Sequence, residues 1–143
     1  MHFYDLNLSD PVLDALDDMN FQQTTPIQEH AIPPILEGHD LLGVAQTGTG
    51  KTAAYLLPVL SELSYGDYPA DALNCIIMSP TRELAQQIDQ ALQGFSYHLP
   101  YISSVAVYGG NDGIRYEQEK RSMQHGADIV IATPGRLISH LSL

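Results

Sequence analysis

The chain has 143 residues and carries 17 acidic against 6 basic side chains, a formal net charge of −11. With 44% hydrophobic and 16% charged residues it is composed like one folded domain with a proper core, and an acid excess this large speaks against wrapping nucleic acid through bulk electrostatics. The single cysteine, Cys75, excludes an internal disulfide, no apolar run approaches the ~18 residues of a membrane span, and no basic-then-apolar leader opens the chain, so a soluble cytoplasmic domain is expected.

Asp10-Pro11 reads as an N-cap followed by proline at the first helical position, opening an amphipathic helix through Val12, Leu13, Leu16 and Met19. Asp14, Asp17 and Asp18 fall on its solvated face. Thr25-Pro26-Ile27-Gln28 has the form of a capping box, which assigns Gln28 the task of closing back on the Thr25 N–H. Pro33-Pro34 is expected to break or redirect that helix before Gly38.

The next stretch carries the chemistry. Leu41–Val44 is a short apolar run that enters Ala45-Gln46-Thr47-Gly48-Thr49-Gly50-Lys51-Thr52, and a helical pattern follows over Ala53–Leu63. Strand, glycine-bearing loop and helix in that order form a phosphate cradle. Gly48 and Gly50 let successive N–H groups converge on one anion, and the helix start adds its unpaired N–H groups and positive dipole end. Lys51 can reach the β- and γ-phosphates of a bound nucleotide, and the Thr52 hydroxyl can ligate Mg²⁺. The strict pattern has Gly where this chain has Ala45. A plain Gly/Thr-rich turn with a solvated lysine accounts for less of the surrounding pattern.

After a surface loop over Ser64–Asp71, Leu73–Met78 reads as a continuous apolar strand of a parallel sheet, with Cys75 as a packed strand residue. Pro80-Thr81-Arg82-Glu83-Leu84 opens a helix through Ile88, Leu92 and Phe95. Ser104–Tyr108 is a third strand running into Gly109-Gly110, a polar helix spans Ile114–His125, Asp128–Ala132 is a fourth strand, and Thr133-Pro134-Gly135-Arg136 starts a helix over Leu137–Leu141. The alternation predicts an α/β fold with a parallel sheet, whose strand ends near Ala45, Ser79, Gly109 and Thr133 share one edge. The first fifty residues hold no Lys or Arg, and three of the six basic residues (Lys51, Arg82 and Arg136) fall at these junctions, which predicts anion contacts made at points. Arg115, Lys120 and Arg121, among Glu117 and Glu119, read as a solvated helix face.

These residues in this order resemble the DEAD-box RNA helicases. Asn20–Gln28 resembles the family's Q motif, with Phe21 and Gln28 in matching places, Asn20 in place of the usual glycine and Thr24 in place of the usual proline. Phe3 lies seventeen residues upstream of Asn20, where the family often has an isolated aromatic. Residues 45–52 are similar to motif I, in which alanine at the first position is usual, 80–84 to motif Ia, Gly109-Gly110 to the double glycine and 133–136 to motif Ib. The resemblance implies a RecA-like P-loop fold over 1–143 with helices on both faces of the sheet, the Q-motif region being 1–29. It implies ATP and Mg²⁺ as cofactors, with Phe21 stacking on adenine, Gln28 hydrogen-bonding its edge, and Ala45, Gln46, Thr47, Gly48, Thr49, Gly50, Lys51 and Thr52 holding the phosphates. Lys51 and Thr52 are the implied catalytic residues, Thr52 also the metal ligand. Pro80, Thr81, Arg82, Gly109, Gly110, Thr133, Gly135 and Arg136 would meet the RNA backbone without reading its sequence.

Phosphoryl transfer also needs carboxylates, which the family places in a later Asp-Glu-Ala-Asp motif. No apolar run here ends in Asp-Glu, and Asp128 precedes its strand. The expectation is therefore the ATP-binding part of an ATP-dependent RNA helicase, the N-terminal piece of a longer chain with a second RecA-like domain, binding nucleotide without hydrolysing it. A non-catalytic nucleotide- or RNA-binding module and another kind of P-loop NTPase are the alternatives.

Overall fold

The structure, a computed structural model, describes residues 1–46, 50–66, 68–69, 72–108, 113–124 and 126–141. It contains six α-helices and three strands among these residues: α1 (Asp10–Asp18), α2 (Pro26–Leu36), α3 (Lys51–Ser64), β1 (Cys75–Met78), α4 (Arg82–Phe95), β2 (Ser104–Val107), α5 (Gly113–Gln124), β3 (Ile129–Ala132) and α6 (Pro134–Leu141). The chain divides into two compact units, Met1–Asp67 with Ala91–Pro100, and Tyr68–Gln90 with Tyr101–Leu143. No helix among the described residues is long and apolar enough to cross a membrane.

The first unit is helical. α3 buries Ala53, Leu56, Leu57, Leu60 and Leu63, so apolar residues do cover more than one of its faces, and α1 and α2 both pack on it. Ser9, not Asp10, is the N-cap of α1; its buried N–H donates to the Ser61 hydroxyl of α3 at 3.0 Å. α2 runs through both prolines to Leu36 instead of breaking at them. They stand in its last turn, where each removes one donor while its carbonyl still accepts, from Glu37 N–H at 3.1 Å and His39 N–H at 3.0 Å. Gly38, at φ +85°, then ends the path. The N-terminal residues strap the segment before α2: Phe3 is buried, its N–H donates to the Gln22 carbonyl at 3.1 Å, and His2 bridges Gln23 in antiparallel fashion.

The second unit holds a parallel sheet in the order β1-β3-β2. β3 is buried along its whole length, as a strand flanked on both sides should be. Val107, Ala127, Val130 and Ala132 form a buried cluster that Met123 of α5 and Leu137 of α6 extend. β1 is an edge strand, and that corrects its reading as a fully buried one: Ile77 is buried while Ile76 and Met78 stand exposed. The α/β class with a parallel sheet is thus as the alternation predicts.

One expected strand does not form. Residues 41–46 have no regular structure, and Leu42 and Val44 are 91% and 85% exposed. An apolar run becomes a strand only where a neighbour takes up its backbone groups, and the three-stranded sheet does not include this one. Three strand ends, not four, therefore share an edge.

A titration tests the N-terminal strap. The hydrogen bond from the Thr24 hydroxyl (2.7 Å), then that from the Met1 ammonium (3.1 Å), lower the Glu29 carboxyl below its ordinary 4.5. A folded value below the unfolded one adds stability that is present above the unfolded value and is lost as pH falls through the folded one. Glu29→Gln should flatten this acid limb of a urea-denaturation pH series, and a limb unchanged in the variant contradicts the strap.

Candidate functional site

The Gly50-Lys51-Thr52 segment lies in the first unit. Gly50 caps α3 in the left-handed region at φ +84°, so the helix begins at Lys51, exposed, and Thr52, half-buried. Ala45 is half-buried and Gln46 exposed, whereas Thr47, Gly48 and Thr49 lie outside the described residues. A β-carbon at Gly50 would run into Nε2 of Gln28 and come within 3.1 Å of the Thr25 hydroxyl oxygen. Glycine is required there twice over, for the backbone and for its neighbour.

That neighbour joins the two segments. Gln28, 5% exposed, accepts the Thr25 N–H at Oε1 (2.9 Å) and donates from Nε2 to the Gly50 carbonyl (3.2 Å). The first contact is the capping interaction the sequence predicts. The Thr25 hydroxyl stands in the reciprocal capping position, yet its oxygen is buried without closing a full hydrogen bond. Phe21 is 43% exposed with its ring 6.0 Å from that of Phe95. Asn20 before it takes φ +60°, which explains how it stands in a glycine's place: asparagine is among the few residues that tolerate this region.

An anion suits this arrangement. The start of a 14-residue helix presents unpaired N–H groups, and Lys51 adds a full charge in its first turn. For Mg²⁺ the described donors amount to the Thr52 hydroxyl; no group of three or more His, Cys, Asp or Glu among the described residues could hold a metal. A lone hydroxyl fits an ion that keeps most of its shell as water and phosphate oxygen.

The second unit gathers the other motif residues. Met78, Ala132 and Val107 end the three strands in register. The Ser79 N–H donates to the Ala132 carbonyl (2.9 Å) and the Thr133 N–H to that of Val107 (3.0 Å), so Pro80–Leu84 and Thr133–Arg136 leave the sheet side by side. The Thr81 hydroxyl accepts the Leu84 N–H at 3.1 Å and starts α4. Pro80, Thr81 and Arg82 are exposed, Arg82 lying 3.8 Å from Glu83. Thr133 is half-buried, and a β-carbon at Gly135 would meet open space among the described residues. Gly109 and Gly110 lie outside them. Asp128 sits at the far end of the sheet, where its carbonyl and side chain hold Asn74, Cys75 and Ser103.

Arg136 is placed differently from a surface arginine. Its side chain is 11% exposed and its Nε donates to Glu119 Oε1 at 2.8 Å. The reading of Glu119 and Arg115 as part of a solvated face is therefore wrong: Glu119 is 3% exposed, and Arg115 pairs with it at 3.3 Å while stacking 4.0 Å above the Tyr108 ring. Only the i,i+4 spacing of Arg115 and Glu119 pointed to this, and such spacing is as common on open faces.

Residues 25–143 match the family model described as DEAD/DEAH box helicase. Over 139 residues, 97% of its length, the chain is 45% identical to the ATP-dependent RNA helicase DeaD of Escherichia coli strain K12, of which it covers 21%. It is 40% identical to DeaD of Haemophilus influenzae, covering 22% of that protein, and 42% identical to the ATP-dependent rRNA helicase RRP3 of Saccharomyces cerevisiae strain S288c, covering 26%. The chain spans about a fifth to a quarter of the length of the curated relatives it matches.

Two glycines at nearly the same φ separate backbone strain from the Gln28 contact. Gly38→Ala, which meets open space, should cost about 1 kcal/mol, the penalty of a left-handed alanine. Gly50→Ala should cost about 1 kcal/mol more, because it also displaces the Gln28 amide. Equal losses in chemical denaturation would show that the Gln28–Gly50 bond adds nothing.

Proposed function

This chain belongs to the DEAD/DEAH box helicase family, and on that premise we propose that it is the ATP-binding part of an ATP-dependent RNA helicase that unwinds or remodels RNA duplexes. The observation that carries the reading is Gln28, hydrogen-bonded at once to Thr25 and to the glycine from which Lys51 emerges. Each of its bonds uses half of its capacity, since the amide nitrogen has a second N–H and the oxygen a second lone pair. One donor and one acceptor side by side complement the N6/N7 edge of adenine. Phe21, exposed in the same Q-motif segment, supplies the stacking face.

Lys51 and the N–H groups at the start of α3 then hold the phosphates, together with the loop residues 45–50. Thr52 would hold Mg²⁺, which would supply positive charge to offset that of the phosphates. The exposed Pro80–Arg82 turn, Thr133, Gly135 and Arg136, with Gly109 and Gly110, take the RNA backbone. Gly135, where nothing among the described residues demands a glycine, suits a close backbone approach by a ligand. Such contacts fix position and carry no sequence information. Residues 1–143 act with a second RecA-like domain, in the cytoplasm and away from membranes.

Calorimetric titration of ADP tests the reading. Lys51→Ala should lose detectable binding with an unchanged circular-dichroism spectrum. Gln28→Ala should weaken ATP by about 1–3 kcal/mol and GTP by less, the cost of lost hydrogen bonds to a desolvated base. The 143-residue chain contains no Asp-Glu-Ala-Asp and should show no RNA-stimulated turnover. Undiminished ADP affinity in Lys51→Ala, or robust turnover by the chain alone, overturns the assignment.

A further inference from the structure

Glu119 is a carboxylate that the reading above does not use. It lies on α5, 3% exposed, and three cationic or donor groups meet it: Arg136 Nε and His140 Nε2, each 2.8 Å from Oε1, and Arg115 Nε, 3.3 Å from Oε2. Tyr116, one turn away, stacks on His140 at 4.2 Å and lies 4.8 Å beneath the Arg136 guanidinium, while its hydroxyl donates to the Ser139 carbonyl at 3.2 Å. Arg136 is thus held by a hydrogen bond at its Nε and by an aromatic face across its plane. Leu137, half-buried, also joins α6 to the apolar cluster of the sheet.

The charge count is also unlike that of a structural pair. One carboxylate faces two guanidiniums, so the group is net positive inside a chain of −11. Burying a carboxylate is costly unless its partners are well placed. Oε1 closes hydrogen bonds with Arg136 Nε and His140 Nε2, whereas Oε2 and the Arg115 Nε opposite it close none. Arg136 stands in the first turn of α6, where the helix dipole disfavours a cation, and Glu119 offsets that too.

We propose that Glu119 is a positioning residue that fixes the Arg136 guanidinium before RNA arrives, so that a phosphate meets an ordered group. The inference rests on the reading of Thr133–Arg136 as an RNA-backbone contact. An exposed arginine loses most of its rotamer freedom on binding, and one held in advance does not.

Titration of the 143-residue chain with oligouridine, followed in ¹H–¹⁵N spectra that include the arginine Nε–H signals, tests it. Glu119→Ala should weaken RNA by about three- to tenfold, the ordering cost of one long side chain. Glu119→Gln keeps an oxygen that accepts the Arg136 Nε–H, so it should stay within about twofold of the unaltered chain and retain a protected Nε–H signal. In an Arg136→Ala background, Glu119→Ala should add no further loss. A loss of the same size in that background marks a merely structural role and overturns the proposal. Tighter binding by both Glu119 variants overturns it as well, because the carboxylate then competes with RNA for Arg136. Should Glu119→Ala fail to fold, Glu119→Gln decides, and a loss of affinity or of Nε–H protection in it sinks the idea. If Arg136→Ala itself binds RNA as well as the unaltered chain, the motif Ib reading fails and the inference with it. That outcome is recognisable because the Nε–H signal would still depend on Glu119.

Discussion

The sheet of the second unit depends on the position of β3 between two parallel neighbours. A parallel strand in the middle gives up its backbone groups on both edges, and its side chains are covered on both faces. The order β1-β3-β2 also means that the last strand in sequence enters between two already present, bringing the turns after all three to one edge. The pairing runs beyond the strands on that side, through Ser79 to Ala132 and Thr133 to Val107. On the other side Asp128 closes the sheet with hydrogen bonds to the residues that start β1 and precede β2. A carboxylate at that end serves as a clasp, and the turns after the strands leave the opposite one.

In the first unit the corresponding role falls to a side chain. Gln28 ties the start of α2 to the start of α3 by bonds to two backbone groups, and its burial makes both worth keeping. Gly50 permits it because a larger residue would occupy the space that the amide needs. The caps of α2 and α3 thus share one residue, and a change in the backbone at Gly50 is felt at Thr25.

Much of this was legible in the residues. The capping box at Thr25–Gln28, the buried α3 and the alternation of strands and helices follow from local chemistry that neighbours do not override. What could not be read depends on partners distant in sequence. Leu41–Val44 has the composition of a strand but no ladder to join. Pro33 and Pro34 look like breakers, yet α2 runs through both to Leu36, and their carbonyls still accept the N–H groups of Glu37 and His39. The sequence marks Asn20 as a departure from the glycine of the resemblance, and only its φ of +60° shows that the backbone demand is still met. Glu119 sits among charges in a polar helix, and its burial is decided by Arg136 and His140, some twenty residues on.

The exposed side of β1 has a consequence for handling. Its outer edge is that of an end strand, and Ile76 and Met78 face outward beside it. Such an edge is a template on which another chain can add a strand. At neutral pH the charge of −11 keeps copies apart by mutual repulsion, and that protection vanishes near the pI of about 4.6. Mild acid is therefore the condition in which strand addition at this edge is least opposed by charge.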